Sequence, residues 1–152
     1  MKKIAFIASS GGHYEEILRL KNIEKKYDSF LVTEKSGFDS TGFCEKVIYV
    51  SQINRKQITF LPKFIKLFIQ AVIILKREKP DFIITTGALI AYPFCVAAKI
   101  MGKKIIYIES FARVHNPSLT GRLVYKIADL FIVQWEDMLK IYDKAVLGGG
   151  LF

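Results

Sequence analysis

The chain is short of the residues that most often announce chemistry. Its 152 residues hold two cysteines, two histidines, one tryptophan and four prolines. Cys44 and Cys95 share no motif spacing and sit in apolar company, which excludes a disulfide framework and predicts buried free thiols in a reducing compartment. No uninterrupted apolar run approaches the roughly 18 residues of a membrane span. Lys2 and Lys3 precede only the short run Ile4 to Ala8, too short for a signal-peptide core, so no targeting segment is expected. Acids are scarce too: 14 against 23 Lys and Arg leaves a net charge of +9. That excess suits anionic lipid, a phosphorylated substrate or nucleic acid. Nucleic acid is set aside, because no aromatic–basic strand motif or zinc spacing is present. Nothing in the spacing asks for a metal or a cofactor.

Apolar residues are plentiful instead, at 51% of the chain. Mean hydropathy is +0.27. Both are high for a soluble monomer, so part of the apolar surface is expected to meet a partner or a membrane. Apolar runs alternate with helical patterns. Strands are predicted at Ile4–Ala8, Ser29–Thr33, Lys46–Val50, Asp81–Thr85, Lys104–Ile108, Leu130–Val133 and Ala145–Leu147. Helices are predicted at Tyr14–Lys26, Leu61–Lys79, Leu89–Met101, Ser118–Ala128 and Trp135–Tyr142. The order implies right-handed crossovers and an α/β, Rossmann-like parallel sheet with helices on both faces, in one domain over 1–152. Continuous apolar strands such as Ile105-Ile106-Tyr107-Ile108 agree, since parallel strands are covered on both sides.

Ligands of such sheets bind beyond the C-terminal strand ends, where the strand order reverses. Three loops fall there. In the first, Ser9-Ser10-Gly11-Gly12-His13, the glycines allow close backbone approach and the helix behind offers free N–H groups to a phosphate. His13 then places a titratable imidazole against whatever the turn holds. The second is the small-residue turn Thr85-Thr86-Gly87-Ala88. The third, Glu109 to Asn116, carries Glu109, Arg113 and His115, with Asn116-Pro117 expected to cap the next helix. A tight structural turn and a solvated charged loop are the plain alternatives. On the 61–79 helix, Lys63, Lys66, Gln70 and Arg77 form one narrow stripe and apolar residues cover most of the rest. That arc is wider than one sheet face needs. Either neighbouring helices bury it, or it meets a membrane through Phe64 and Phe68 with Arg55, Lys56, Lys63 and Lys66 on anionic headgroups.

The segments SSGGH at 9–13, KPDFIITTGA at 79–88, IESFARVHNPSLTGRLVYKIADLFIVQWE at 108–136 and GGGLF at 148–152 carry a resemblance. The chain resembles the acceptor-side subunits of two-chain UDP-sugar glycosyltransferases of bacterial capsule and exopolysaccharide synthesis. These are related to the membrane-anchoring subunit of the dolichol-pathway N-acetylglucosaminyltransferase. It is also similar to the N-terminal half of the lipid-linked N-acetylglucosaminyltransferase of peptidoglycan synthesis. The resemblance implies half of a GT-B fold, with a separate small chain holding the UDP-sugar. Ser10, Gly11, Gly12, Thr86, Gly87 and Arg113 would face the diphosphate of a polyprenyl-linked sugar acceptor. His13 is the first candidate base and Glu109 the second. The tail 148–152 is expected to dock the partner. With no anchor expected at the N-terminus, the chain would sit peripherally on the cytoplasmic face of the cell membrane. A non-catalytic adaptor for a self-sufficient partner is the alternative. An unrelated single-chain nucleotide enzyme is disfavoured, because one domain leaves no room for a second substrate and the turn lacks G-x-G-x-x-G spacing.

Overall fold

The structure, a computed structural model, describes residues 1–35, 42–54 and 56–151. Seven strands form one parallel sheet: β1 (Lys3–Ile7), β2 (Asp28–Glu34), β3 (Lys46–Val50), β4 (Phe82–Thr85), β5 (Lys104–Ile108), β6 (Leu130–Val133) and β7 (Val146–Leu147). Their order is β3-β2-β1-β4-β5-β6-β7. Every paired neighbour is parallel. The order reverses between β1 and β4, where Ile4 to Ile7 lie beside Phe82 to Thr85.

Alternate side chains of each strand feed opposite layers. On one face Ala5, Ile7, Phe30, Val32, Ile83, Ile105 and Phe131 pack beneath α3 (Phe60–Glu78), α4 (Ala91–Ile100) and α5 (Leu119–Tyr125). On the other, Ile4, Phe6, Leu31, Ile84 and Ile108 pack beneath α1 (Gly12–Leu18) and α2 (Lys21–Glu24). This second layer is incomplete. An apolar groove of about 290 Å³ remains over β4–β6, lined by Leu20, Ile23, Ile84, Ile106, Ile132 and Leu151. Both cysteines are buried and free, and burial pushes their thiols up to about 11 for Cys44 and about 12 for Cys95.

Several expected boundaries shift for local reasons. The helix expected over 14–26 is two pieces, because Arg19 and Leu20 bond three residues back instead of four and Leu20 turns inward. α3 ends at Glu78: Lys79 is left-handed (φ 50°), as Pro80 behind it disfavours continuation. The cap of α5 is Ser118, not Asn116; its Oγ accepts from the Gly121 N–H at 2.8 Å. The segment expected as a short helix over 135–142 is a 3₁₀ turn, Glu136–Lys140.

Candidate functional site

The two glycine turns meet at the strand-order reversal. Gly11 has φ +85°, a left-handed conformation that only glycine adopts without strain. Tyr14 N–H makes the first helical bond, to Gly11 O at 2.9 Å, so the N–H groups of Gly12 and His13 precede the ladder. Gly12 is exposed, and a Cβ there would meet nothing within 4 Å. Across from it, Gly87 has φ +107°, and a Cβ would lie 2.7 Å from the Tyr107 hydroxyl. Ala88 follows with φ +66°, a strained conformation for a residue with a Cβ.

A reciprocal clasp joins the turns. His13 Nδ1 lies 2.8 Å from Thr86 O, and Thr86 Oγ1 donates to His13 O at 2.7 Å. A carbonyl only accepts, so Nδ1 carries the hydrogen, and the neutral ring keeps its basic lone pair on Nε2. The clasp spends the Thr86 hydroxyl. Thr86 is fully buried and positions His13; it offers no open donor.

Glu109 departs from its expected role as a base. It is 1% exposed and accepts four hydrogen bonds: Ser110 N and Ser118 Oγ on Oε1, Ser118 N and the Tyr142 hydroxyl on Oε2. Gly121 packs against it so closely that any Cβ would collide with Oε2. A carboxylate saturated this way is scaffold: it holds Ser118, which caps α5. Beside it, Glu16 accepts from Ser110 Oγ (2.7 Å), Phe111 N (3.1 Å) and Gln134 Nε2 (3.2 Å). Gln134 Oε1 in turn accepts from Leu151 N at 2.9 Å, tying the tail to α1 through two side chains. Trp135 Nε1 donates to Phe111 O at 2.7 Å and completes the pinning of the 109–113 loop. Arg113 is exposed beyond this pinned part, and exposed His115 pairs with Asp137 at 2.9 Å.

Glu34, the last residue of β2, was not among the expected site residues. It is 7% exposed and lines a cleft of about 450 Å³ with Ser9, Gln52, Asn54, Ala88 and Leu89. Burial pushes its carboxyl above the usual range, against hydrogen bonds from the Ile53 and Ser10 backbone. The available signal was an acid ending an otherwise apolar strand, Phe30-Leu31-Val32-Thr33-Glu34.

The membrane-contact set also changes. Phe64 faces inward, 5.5 Å from Phe60 and 6.4 Å from Tyr92, and Phe68 packs against the core. The open side of α3 is instead a ridge at four-residue spacing, Leu61, Ile65, Ile69 and Ile73, each more than half exposed. Lys66, Lys76 and Arg77 are exposed alongside, while Lys63 is half-buried and bonds Gln57. Lys56 is exposed at the cleft rim, and Arg55 lies outside the described residues, as does Phe152 of the tail. Among the described residues no helix is long and apolar enough to cross a membrane.

The chain has relatives among known proteins and solved structures. UDP-N-acetylglucosamine transferase subunit ALG14 of Mus musculus is 28% identical over 182 residues, covering 97% of this chain and 82% of its own. The Kluyveromyces lactis subunit of the same name is 54% identical over 48 residues, covering 32% of this chain and 20% of its own. Among solved structures, Acinetobacter baumannii MurG superposes with TM-score 0.73 at 16% identity, over 90% of this chain and 43% of that one. UDP-N-acetylglucosamine 2-epimerase from Rickettsia bellii gives 0.77 at 15%, over 99% and 45%. The chain thus spans less than half the length of these solved proteins and shares the fold of one of their halves, the Rossmann-like N-terminal half of a GT-B fold. The family described as "Oligosaccharide biosynthesis protein Alg14 like" matches residues 4–151, nearly the whole sheet and both glycine turns, and the chain belongs to it.

Proposed function

We propose that this chain is the acceptor-binding subunit of an inverting, metal-independent glycosyltransferase. A separate small chain would hold the UDP-sugar, and the acceptor would be a polyprenyl-diphosphate-linked sugar of capsular or extracellular polysaccharide synthesis. The relatives' names support a UDP-sugar transferase subunit, with UDP-N-acetylglucosamine the first donor to test. One observation carries the chemistry: the His13–Thr86 clasp, which holds the imidazole by Nδ1 at the sheet's switch point and leaves Nε2 without a partner among the described residues. In this reading the Gly11-Gly12-His13 turn receives the diphosphate and exposed Arg113 reaches its oxygens. Nε2 takes the proton of the acceptor hydroxyl as its oxygen attacks the anomeric carbon. The bond from that carbon to UDP breaks, UDP leaves with the electron pair, and configuration inverts.

The apolar groove over β4–β6 and the tail across it offer the partner a surface. The Ile ridge of α3, edged by lysines, would rest on the inner face of the cell membrane. The adaptor reading draws support from Glu109, the second candidate base, which is 1% exposed.

The test is a transfer assay on anionic vesicles with a short-chain polyprenyl-diphosphate sugar, with and without the partner chain. This chain alone should transfer nothing. With the partner, His13→Ala should lower turnover about 100-fold or more without unfolding, and Ile65→Ser with Ile69→Ser should weaken vesicle binding. Full activity of His13→Ala would leave the adaptor reading standing. Transfer by this chain alone would end the two-chain reading, and unchanged vesicle binding would end the membrane role of α3.

A further inference from the structure

The cleft beside the His13 turn has features of a site for a hydroxyl-rich ligand. Its floor is the C-terminal end of β2, its walls are the residues after β3 and the β4–α4 turn, and Ser9 separates it from the glycine turn. Glu34 is 7% exposed at the end of β2 and lines the cleft beside Ser9, the residue that leads into the glycine turn. A carboxylate offers roughly four lone-pair positions, and among the described residues no side chain takes those of Glu34, which lines the cleft. Among the described residues no ion pair neutralises Glu34, in contrast to Glu78, which has three cationic partners. A buried carboxyl without a cation costs stability, and such groups cluster where a ligand uses them.

The rest of the lining sorts the ligand classes. Gln52 and Asn54 are exposed amides at the rim. Asn54 Oδ1 accepts the Lys56 N–H at 3.0 Å, which leaves its amide N–H groups to donate outward. Ala88 and Leu89 add apolar lining to the polar groups. A carboxylate, neighbouring amides and apolar lining in one cleft match the hydroxyls and C–H faces of a sugar ring. The same carboxylate repels a phosphate, so the two halves of a sugar diphosphate would divide, the phosphates to the glycine turn and the sugar to Glu34.

The geometry points to this cleft as the seat of the acceptor's first sugar, with Glu34 the residue that reads its hydroxyls. The inference rests on the acceptor-binding reading above and adds to it a binding residue and a division of the ligand. Glu34 holds adjacent ring hydroxyls and thereby sets which hydroxyl faces His13.

Calorimetric titration of the 152-residue chain tests it, using farnesyl diphosphate bare or carrying glucose, galactose or N-acetylglucosamine, and UDP-N-acetylglucosamine as a separate arm. Wild type should bind at least one sugar-bearing probe about tenfold more tightly than bare farnesyl diphosphate, the worth of a charge-assisted hydrogen bond. Glu34→Ala should erase that preference, and Glu34→Gln, which keeps the shape and one acceptor oxygen, should retain part of it. Binding of the bare diphosphate should not weaken in either variant, since both remove a charge that repels phosphate. Equal binding of bare and sugar-bearing probes by wild type overturns the subsite and leaves the acceptor reading intact. Binding of no probe overturns both. A preference that survives Glu34→Ala removes Glu34, and loss of UDP-sugar binding alone would give the cleft to the donor.

Discussion

Glu34 and Glu109 occupy equivalent places and behave in opposite ways. Glu34 ends β2 and Glu109 follows β5 directly, both at the C-terminal edge of the sheet and both almost fully buried. Glu109 is surrounded: two serine groups, a further backbone N–H and a tyrosine hydroxyl take its oxygens, and Gly121 closes the remaining space. Glu34 lines a cleft of about 450 Å³, and among the described residues no side chain takes its oxygens. Position on the fold therefore does not distinguish a binding acid from a scaffold acid. The count of satisfied lone pairs does, because a saturated carboxylate has nothing left to offer a ligand.

The largest effect should come from emptying the saturated site. Glu109→Ala strands the Ser118 N–H and the Tyr142 hydroxyl in a buried space and loosens the cap of α5. The cost is about 3–5 kcal/mol, in the range found when one partner of a buried charged network is removed. That is a large share of the stability of a chain this size. Chemical denaturation measures it. A loss below about 1 kcal/mol would mean that Glu109 is not the keystone of this loop, and its role as a base would be open again.

Sequence and structure agree where the cause is local or periodic. Ile4 to Ile7 and Ile105 to Ile108 are legible as parallel strands because covered faces require continuous apolar runs. His13 is legible because a glycine turn between strand and helix places it. Glu109 misleads: a loop dense in charge looks like a site, while its saturating partner Tyr142 stands 33 positions away. Glu34 is invisible for a similar reason, since Ile53, which lines the same cleft, follows β3 and reaches it only through the pairing of β2 with β3. On α3 the apolar arc is readable but its open third is not. The Phe64 ring lies against Tyr92 of α4, while Ile65 beside it stays more than half exposed.

A third buried acid sharpens the contrast from the opposite edge of the sheet. Glu78 bonds Lys46 at 2.6 Å, Arg77 at 2.8 Å and Lys3 at 3.4 Å. Chiefly through the Lys46 bond, its carboxyl is held down at about 2, against an ordinary 4.5. A carboxyl depressed on folding stabilises fully above its unfolded value and loses that contribution as pH falls from 4.5 toward 2. Lys46 and Arg77 are half exposed or more, so solvent screening reduces the effect to about 1–2 kcal/mol. Thermal melts of wild type and Glu78→Gln should differ at pH 6 and converge near pH 2. A gap that stays constant over this range would show that the ion pairs contribute nothing.

Glu34 should show the reverse sign, and the smallest effect. Burial raises its carboxyl on folding, so the folded state holds the proton more tightly than the unfolded chain does. Its ionised form is the one burial penalises, and stability falls as pH rises through the folded value. Glu34→Gln removes that charge while keeping an oxygen for the Ile53 and Ser10 N–H groups. At neutral pH the variant should melt slightly higher than wild type, by less than about 4 °C, which corresponds to about 1 kcal/mol in a chain of this length. The advantage should shrink on acidification, as the wild-type carboxyl becomes neutral too. A residue that costs stability while lining a cleft is the pattern of a group kept for binding. Glu109→Gln should move the melt in the other direction. If Glu34→Gln destabilises in the same way, both acids are scaffold, and the cleft has lost the one charged group that made it a site.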